Sequence, residues 1–330
     1  MNSNIVDPPT ATPDGQELAS VASICVASGL PRTYVSTQLL RNYIIPCVQA
    51  TFSDGELSLL HAVETDPVLR EHFGESDFDE GAFGNRLRGL TGASDPKLRY
   101  AVDALIRRAG RGLARLAVSS PPVLPPEQTV AIDAPNGTIT FDGQTVSMLR
   151  PLEVVVDFGP GVQGRFHIDT QWNDLQNRRR PFAYFAFTRG PFINEFLMSY
   201  WLELTQDPEI AKQVVGSLYM GREDGMASSS EYLVQVQTGH VGSPEMADLV
   251  LASGIYSAGR AELRPAIANA HKILRPGGAL LVRSPESVDE PEHVDATEMI
   301  DLATAAGFRC SDTFQSSYPR RKILSAVLRK

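Results

Sequence analysis

Apolar and polar positions along the chain follow two rhythms, and the change between them falls near residue 120. Before it the spacing is helical. Glu17 to Val26 is small and apolar, and Tyr34, Gln38, Leu39, Tyr43 and Ile44 share one side of a second helix that must end before Pro46. Ser53-Asp54-Gly55-Glu56 has the form of a capping box, in which the serine accepts from an amide three residues on and the glutamate reaches back. It predicts a helix carrying Leu57, Leu60 and Val63. Asp95-Pro96 opens a longer helix through Leu105 and Leu113. Arg107, Arg108, Arg111 and Arg115 near its end complement the helix dipole as a solvated terminus; the competing reading is an anion site.

Ser119-Ser120-Pro121-Pro122, continuing through Pro125-Pro126, is extended and reads as a linker. Thr129 to Met148 then predicts two short strands about Pro135-Asn136-Gly137, with another turn at Asp142-Gly143. From Leu152 onward strands and helices alternate. Strands are predicted at Leu152–Asp157, Phe182–Phe187, Tyr232–Gln237, Asp248–Ala252, Ala279–Arg283, Phe308–Phe314 and Ile323–Leu328. Between them lie a polar, partly helical segment from Arg165 to Arg180 and an aromatic-rich helix over Pro191–Leu204. A further helix places Leu263, Ile267, Ala270 and Leu274 on one face before Arg275-Pro276-Gly277-Gly278 stops it, and Thr297–Ala306 is the last. Alternation of this kind implies an α/β fold with a mostly parallel seven-stranded sheet and helices on both faces, preceded by a mainly helical amino-terminal domain. The boundaries are a helical domain over 1–120, a linker and hairpin over 121–150, and the sheet domain over 151–330.

The run Leu152-Glu153-Val154-Val155-Val156-Asp157 breaks into Phe158-Gly159-Pro160-Gly161-Val162-Gln163-Gly164. Three consecutive valines fit a strand covered on both faces. An acidic residue at its end, followed by glycines, describes a tight turn where backbone approaches a ligand and the next helix aims its amides at it. A small molecule is therefore expected above the carboxyl end of this strand.

Composition narrows the partners. Lys and Arg total 30 against 39 for Asp and Glu, and a net charge of −9 lacks the basic footprint of a nucleic-acid binder. No apolar run reaches the roughly twenty residues that cross a bilayer, and the polar, proline-containing start is unlike a signal peptide. Cys25, Cys47 and Cys310 are few and far apart, so they read as reduced, mostly buried thiols of a cytoplasmic protein. The histidines are scattered without carboxylate or cysteine at ligand spacing, so no metal site is predicted.

The second half resembles the class I S-adenosylmethionine-dependent methyltransferases, with a Rossmann-like sheet. Asp157-Phe158-Gly159-Pro160-Gly161 looks like that family's first motif, and Asp248-Leu249-Val250-Leu251-Ala252-Ser253 like its fourth strand. His271-Lys272-Ile273-Leu274-Arg275-Pro276-Gly277-Gly278-Ala279-Leu280-Leu281-Val282 matches its helix, turn and fifth strand. A helical domain ahead of this fold is similar to natural-product methyltransferases, where it pairs subunits and covers the substrate. The resemblance implies S-adenosylmethionine as cofactor, held by Asp157, Gly159, Gly161, Gly164, Thr188 and Ser253. Two departures put the cofactor in question. The family ends its second strand on an acidic residue that holds both ribose hydroxyls, and here the position is Thr188; Gln237-Thr238-Gly239-His240 likewise offers no acid after the third strand.

Three functions follow. The first is methyl transfer to a nucleophile on a small metabolite of natural-product biosynthesis. The second keeps the fold without the cofactor and uses an amine to expel sulfate or phosphate within one molecule, closing a ring such as an aziridine. The third is a non-catalytic partner subunit. In either enzyme His167 and Asp169, two apart and on one side of an extended segment, are candidate proton carriers, with His240 and Tyr256 as further acid–base groups. Arg189 and Trp172 are assigned to the substrate, the arginine for an anionic group. The amino-terminal helices are expected to form a homodimer or a heteromeric complex.

Overall fold

The computed structural model describes Ser53, Glu56 and residues 96–120, 129–160, 164–187, 191–206, 218–221, 245–253, 260–285, 294–318 and 321–330. The helices expected ahead of residue 95 and the strand expected at Tyr232–Gln237 lie outside these, as do Cys25 and Cys47. Glu56 does reach back as the capping box requires, its carboxylate accepting from the Ser53 amide at 2.8 Å and hydroxyl at 3.1 Å.

Helix α1 (Pro96–Ser119) precedes a small antiparallel sheet of β1 (Ala131–Asp133), β2 (Thr138–Phe141) and β3 (Gln144–Ser147). The sequence predicts two strands and both turns here; the chain has both turns and adds a third strand. The second turn is the two-residue loop Asp142-Gly143, with Phe141 paired to Gln144. Both loop residues have positive φ, 51° and 73°, the twist that a tight hairpin demands.

The main sheet begins with β4 (Val154–Phe158), followed by α2 (Arg165–Gln176), β5 (Ala183–Phe187), α3 (Pro191–Thr205) and β6 (Leu218–Gly221). It continues through β7 (Ala247–Ala252), α4 (Arg260–Ile273), β8 (Leu274–Pro285), α5 (Ala296–Ala305), β9 (Arg309–Tyr318) and β10 (Arg321–Arg329). Seven strands lie in the order β6-β5-β4-β7-β8-β10-β9. Pairings are parallel from β6 to β8, and β10 runs antiparallel to both its neighbours. The β6 position at the sheet edge is taken by Leu218–Gly221, a segment that the apolar pattern does not single out. In β8 the strand starts at Leu274 rather than at Ala279. Ala247 pairs with Leu274 and Leu249 with Ala279, so Arg275 to Gly278 bulge between them and Gly277 takes φ 79°. The expected helix-stopping turn is thus built into the strand.

Strand β4 sits at the centre and is buried at every position. Val154, Val156 and Phe158 face α4 and α5, packing with Leu263, Ile267 and Met299. Val155 and Asp157 therefore face the other layer, where α2 and α3 lie. Helix α1 packs along α3, and its arginines stay exposed, as expected of a solvated helix end, while three of them pair with acids. Arg111 bonds Glu195, Arg115 reaches Glu203 at 3.0 Å, and Arg108 reaches Glu56 at 2.7 Å. Cys310, expected to be buried, is exposed on the edge strand β9. Among the described residues no helix is long and apolar enough to cross a membrane, and no acid, histidine or cysteine cluster is arranged to hold a metal ion.

Candidate functional site

Three features of the sequence meet at the carboxyl end of β4. The strand order reverses there, because β5 continues to one side and β7 to the other, and such a switch point opens a crevice outside the strand ends. Gly159 turns the chain with φ 70°, and its amide bonds the Phe187 carbonyl at 2.8 Å, tying the ends of β4 and β5 together. Gly164 then lets α2 settle on the sheet. A Cβ on it would stand 3.0 Å from Pro160 Cβ and the Tyr184 hydroxyl, and 3.1 Å from Leu197 Cδ1. Gly159 and Gly164 thereby do the turning and helix packing that the first and last glycines of a dinucleotide fingerprint do.

Asp157, under the glycine turn, is 4% exposed. The Tyr184 hydroxyl donates to its Oδ2 at 2.8 Å, and His167 Nε2 lies 3.6 Å from the same oxygen. The His167 and Tyr184 rings are 5.1 Å apart. Burial pushes the Asp157 carboxyl up to about 7, with the Tyr184 bond pulling the other way. Burial likewise pushes the His167 imidazole down to about 4, so it is neutral at pH 7. The pair stands at ion-pair distance without being an ion pair. Tyr184 is held well above the usual phenol range, first by burial and then by the neighbouring carboxylate. His167 Nδ1 is buried and has no hydrogen-bond partner among the described residues.

The pairing of His167 with Asp169 is corrected by the local structure. Arg165–Gln176 is a helix, and residues two apart on a helix point to different sides. His167 turns inward to Asp157. Asp169, half-buried, accepts from the Tyr200 hydroxyl at 2.7 Å, and its carboxyl is raised by burial against the opposing pull of Tyr200 and Arg165. The Arg165 guanidinium lies 4.8 Å from the Phe166 ring centre and 5.8 Å from that of Tyr200. Trp172 packs edge-on against Trp201, with ring centres 6.1 Å apart, between α2 and α3. Ser253 follows β7 and is half-buried at the switch point. Gly161, Thr188, Arg189, His240 and Tyr256 lie outside the described residues.

Tyr184 is one of several aromatic residues in the predicted strand Phe182–Phe187 and is not singled out by the sequence pattern. The register would have singled it out: Asp157 pairs with Ala186, so the residue two before Ala186 shares the face of Asp157 on the adjacent strand.

Six parallel-running strands with β10 inserted against them, the glycine turn and the switch point together give the architecture its name. The chain has the class I methyltransferase fold. No family model matches it, and no curated protein matches it in sequence. Solved structures that are similar to it include a TehB-like SAM-dependent methyltransferase from Corynebacterium glutamicum, at 15% identity and a TM-score of 0.42 over 69% of this chain and 98% of that one. The N-methyltransferase NodS from Bradyrhizobium japonicum, in complex with S-adenosyl-L-homocysteine, is 15% identical with a TM-score of 0.36, covering 54% of this chain and 78% of NodS. The [4+2]-cyclase SpnF is 13% identical, also with a TM-score of 0.36, over 54% of this chain and 74% of its own.

The residues present fit S-adenosylmethionine in part. The glycine turn and the amino end of α2 suit a nucleotide-bearing ligand, whereas β5 runs out through Ala186 and Phe187 into Thr188 without an acid to hold the ribose.

Proposed function

We propose that the chain is a small-molecule tailoring enzyme that transfers a methyl group from S-adenosylmethionine to a nucleophile on its substrate. The observation that carries this is the glycine turn at the switch point, with Asp157 beneath it and the amino end of α2 beside it. The cofactor supplies an electrophilic methyl on a sulfonium. Gly159 and Gly161 admit it to the backbone, Thr188 offers a hydroxyl where the family has an acid, Ser253 offers another after the next long strand, and Arg189 holds an anionic group of the substrate. His167 is buried and neutral, so it orients Asp157 and leaves proton removal from the acceptor to His240 or Tyr256. Pairing through the amino-terminal region, with a second copy or another chain, belongs to the same reading and is checked by sedimentation.

A second reading is favoured by one feature of the site. Asp157 is engaged by Tyr184 and faced by His167, and no carboxylate follows β5, so the contacts that hold the cofactor in the family are reduced. A displacement without cofactor then fits: a substrate amine forms the nitrogen–carbon bond as the carbon–oxygen bond to sulfate or phosphate breaks, and Arg189 receives the departing anion. Calorimetry with S-adenosylmethionine and S-adenosylhomocysteine separates the two. Micromolar binding and a mass gain of one methyl on the acceptor support methyl transfer. Absence of heat, with conversion of an amine-bearing sulfate or phosphate ester to its ring, replaces it with the second reading. Absence of both overturns an enzymatic role.

A further inference from the structure

We infer that Asp157, Tyr184 and His167 form a proton-holding floor under the crevice, and that a ligand bringing positive charge onto this floor expels one proton to solvent. The inference deepens the proposed function by naming the charge class of the ligand, a sulfonium or alkylammonium, and rests on that reading for the position of the crevice.

Three buried carboxylates of this protein make the case by contrast. Asp142 is met by Arg283, and Asp248 by Arg275 at 3.1 Å. Among the described residues Asp157 meets no cation. From β5 it meets the Tyr184 hydroxyl, and from α2 the neutral His167. The Arg165 guanidinium, also on α2, is stacked on Phe166 and Tyr200 and acts on Asp169. From β7 its register partner is Leu251, and from α3 the contact at the floor is Leu197 against Gly164. Tyr184 and His167 both address Oδ2, so Oδ1 is the acceptor that a ligand can use.

A carboxyl shut off from water without a cation keeps its proton, since the ionised form has lost its hydration and gained no counter-charge. A bound cation supplies that counter-charge. The step is Asp157–COOH to Asp157–COO⁻ with the proton leaving to solvent; no bond in the ligand changes. His167 does not take the proton, because its Nδ1 finds no acceptor among the described residues to steady an imidazolium. The unpartnered Nδ1 and the single hydroxyl on Asp157 are what distinguish this floor from a structural ion pair.

The test has two arms. On the free protein, carbon NMR of carboxyl-labelled aspartate across pH 4 to 9 is expected to show one carboxyl titrating near 7, absent in Asp157→Asn. Circular dichroism confirms that this isosteric variant folds. On binding, calorimetry with S-adenosylmethionine in two buffers of different ionisation enthalpy is expected to show proton release that falls about tenfold from pH 6 to pH 8. An Asp157 carboxyl already ionised at pH 5, or release that persists in Asp157→Asn, overturns the inference. S-adenosylmethionine binding without proton release overturns it while leaving methyl transfer standing. If S-adenosylmethionine does not bind but trimethylsulfonium or propylammonium lowers the midpoint of the same carboxyl, methyl transfer falls and the inference stands. If none of these cations moves the midpoint, the inference is wrong.

Discussion

Asp157 and Asp142 are both buried aspartates at the end of a strand, and they have been put to opposite uses. Asp142 sits in the left-handed turn after β2, its side chain fully enclosed. It receives the Arg283 guanidinium and the Tyr318 hydroxyl at 2.5 Å and the Ser325 hydroxyl at 2.9 Å. Those donors come from β8, β9 and β10, so one carboxylate clamps the small sheet to the antiparallel end of the large one. Among the described residues Asp157 receives one hydroxyl. The desolvation cost is of the same kind at both sites; what differs is whether the fold offsets it with a cation and several donors. The offset site is a rivet. The other site retains a group whose charge the next event can change, which is what a binding or catalytic position requires.

The comparison breaks most visibly at the rivet. Arg283→Met, which leaves the Asp142 carboxylate enclosed without its cation, is expected to cost about 3–5 kcal/mol in urea unfolding. A loss under about 1 kcal/mol would mean that the clamp is ornamental and that the two aspartates differ less than their contacts suggest.

The pH dependence of stability sharpens the other side. Asp157 moves from 3.8 to about 7 on folding, so the native state binds the extra proton and stability falls as pH rises through that window. His167 moves from 6.5 to about 4, so the unfolded state binds the extra proton and stability is lost as pH falls through that window. Between about 4 and 6.5 the two slopes oppose each other, and neither is visible in the wild type. Each alone is worth up to about 1.4 kcal/mol per pH unit. Relative to wild type, Asp157→Asn should gain stability as pH rises across the window, and His167→Phe should gain it as pH falls. Other titrating groups cancel in these differences. Parallel profiles for the variants and the wild type would show that the floor does not titrate.

Gly164→Ala comes next, at about 1–3 kcal/mol, because the added methyl must displace Pro160, the Tyr184 hydroxyl or Leu197. The same variant should weaken ligand binding more than its stability loss accounts for, since it lifts the amino end of α2 from the floor; equilibrium unfolding and calorimetry together read both effects. Arg115→Ala removes the pair with Glu203, in which the arginine side chain is 72% exposed, and should stay within about 0.5 kcal/mol.

Much of the architecture was legible. Alternating apolar runs and helical stripes predicted β4, β5, β7, β10 and the helices α3 to α5 to within a residue or two, because a central parallel strand buried on both faces can only be written as a continuous apolar run. Strand β6 was missed because Leu218–Gly221 is a short edge segment whose place is set by pairing with Tyr184 to Phe187 rather than by its own pattern. The third small strand, Gln144–Ser147, escaped for a similar reason: its Thr145 and Ser147 are polar, and only Val146 turns inward. At the site, Asp157 and the glycines could be named from their order. The partner of His167 could not, since the choice between Asp157 and Asp169 depends on whether Arg165–Gln176 is extended or helical, and its apolar content favours neither.

Alone, the sequence determined where the strands turn, that Gly159 bends the chain after the first long apolar run, and that an acid stands at the end of that run. Local chemistry suffices for those, since β-branched residues, φ > 0 turns and residue order act over a few positions. Only the tertiary structure decided that Asp142 is supplied with a guanidinium while Asp157 is left with a tyrosine and a neutral histidine. The protonation of a buried acid depends on groups far away in the chain, and folding alone brings them to it.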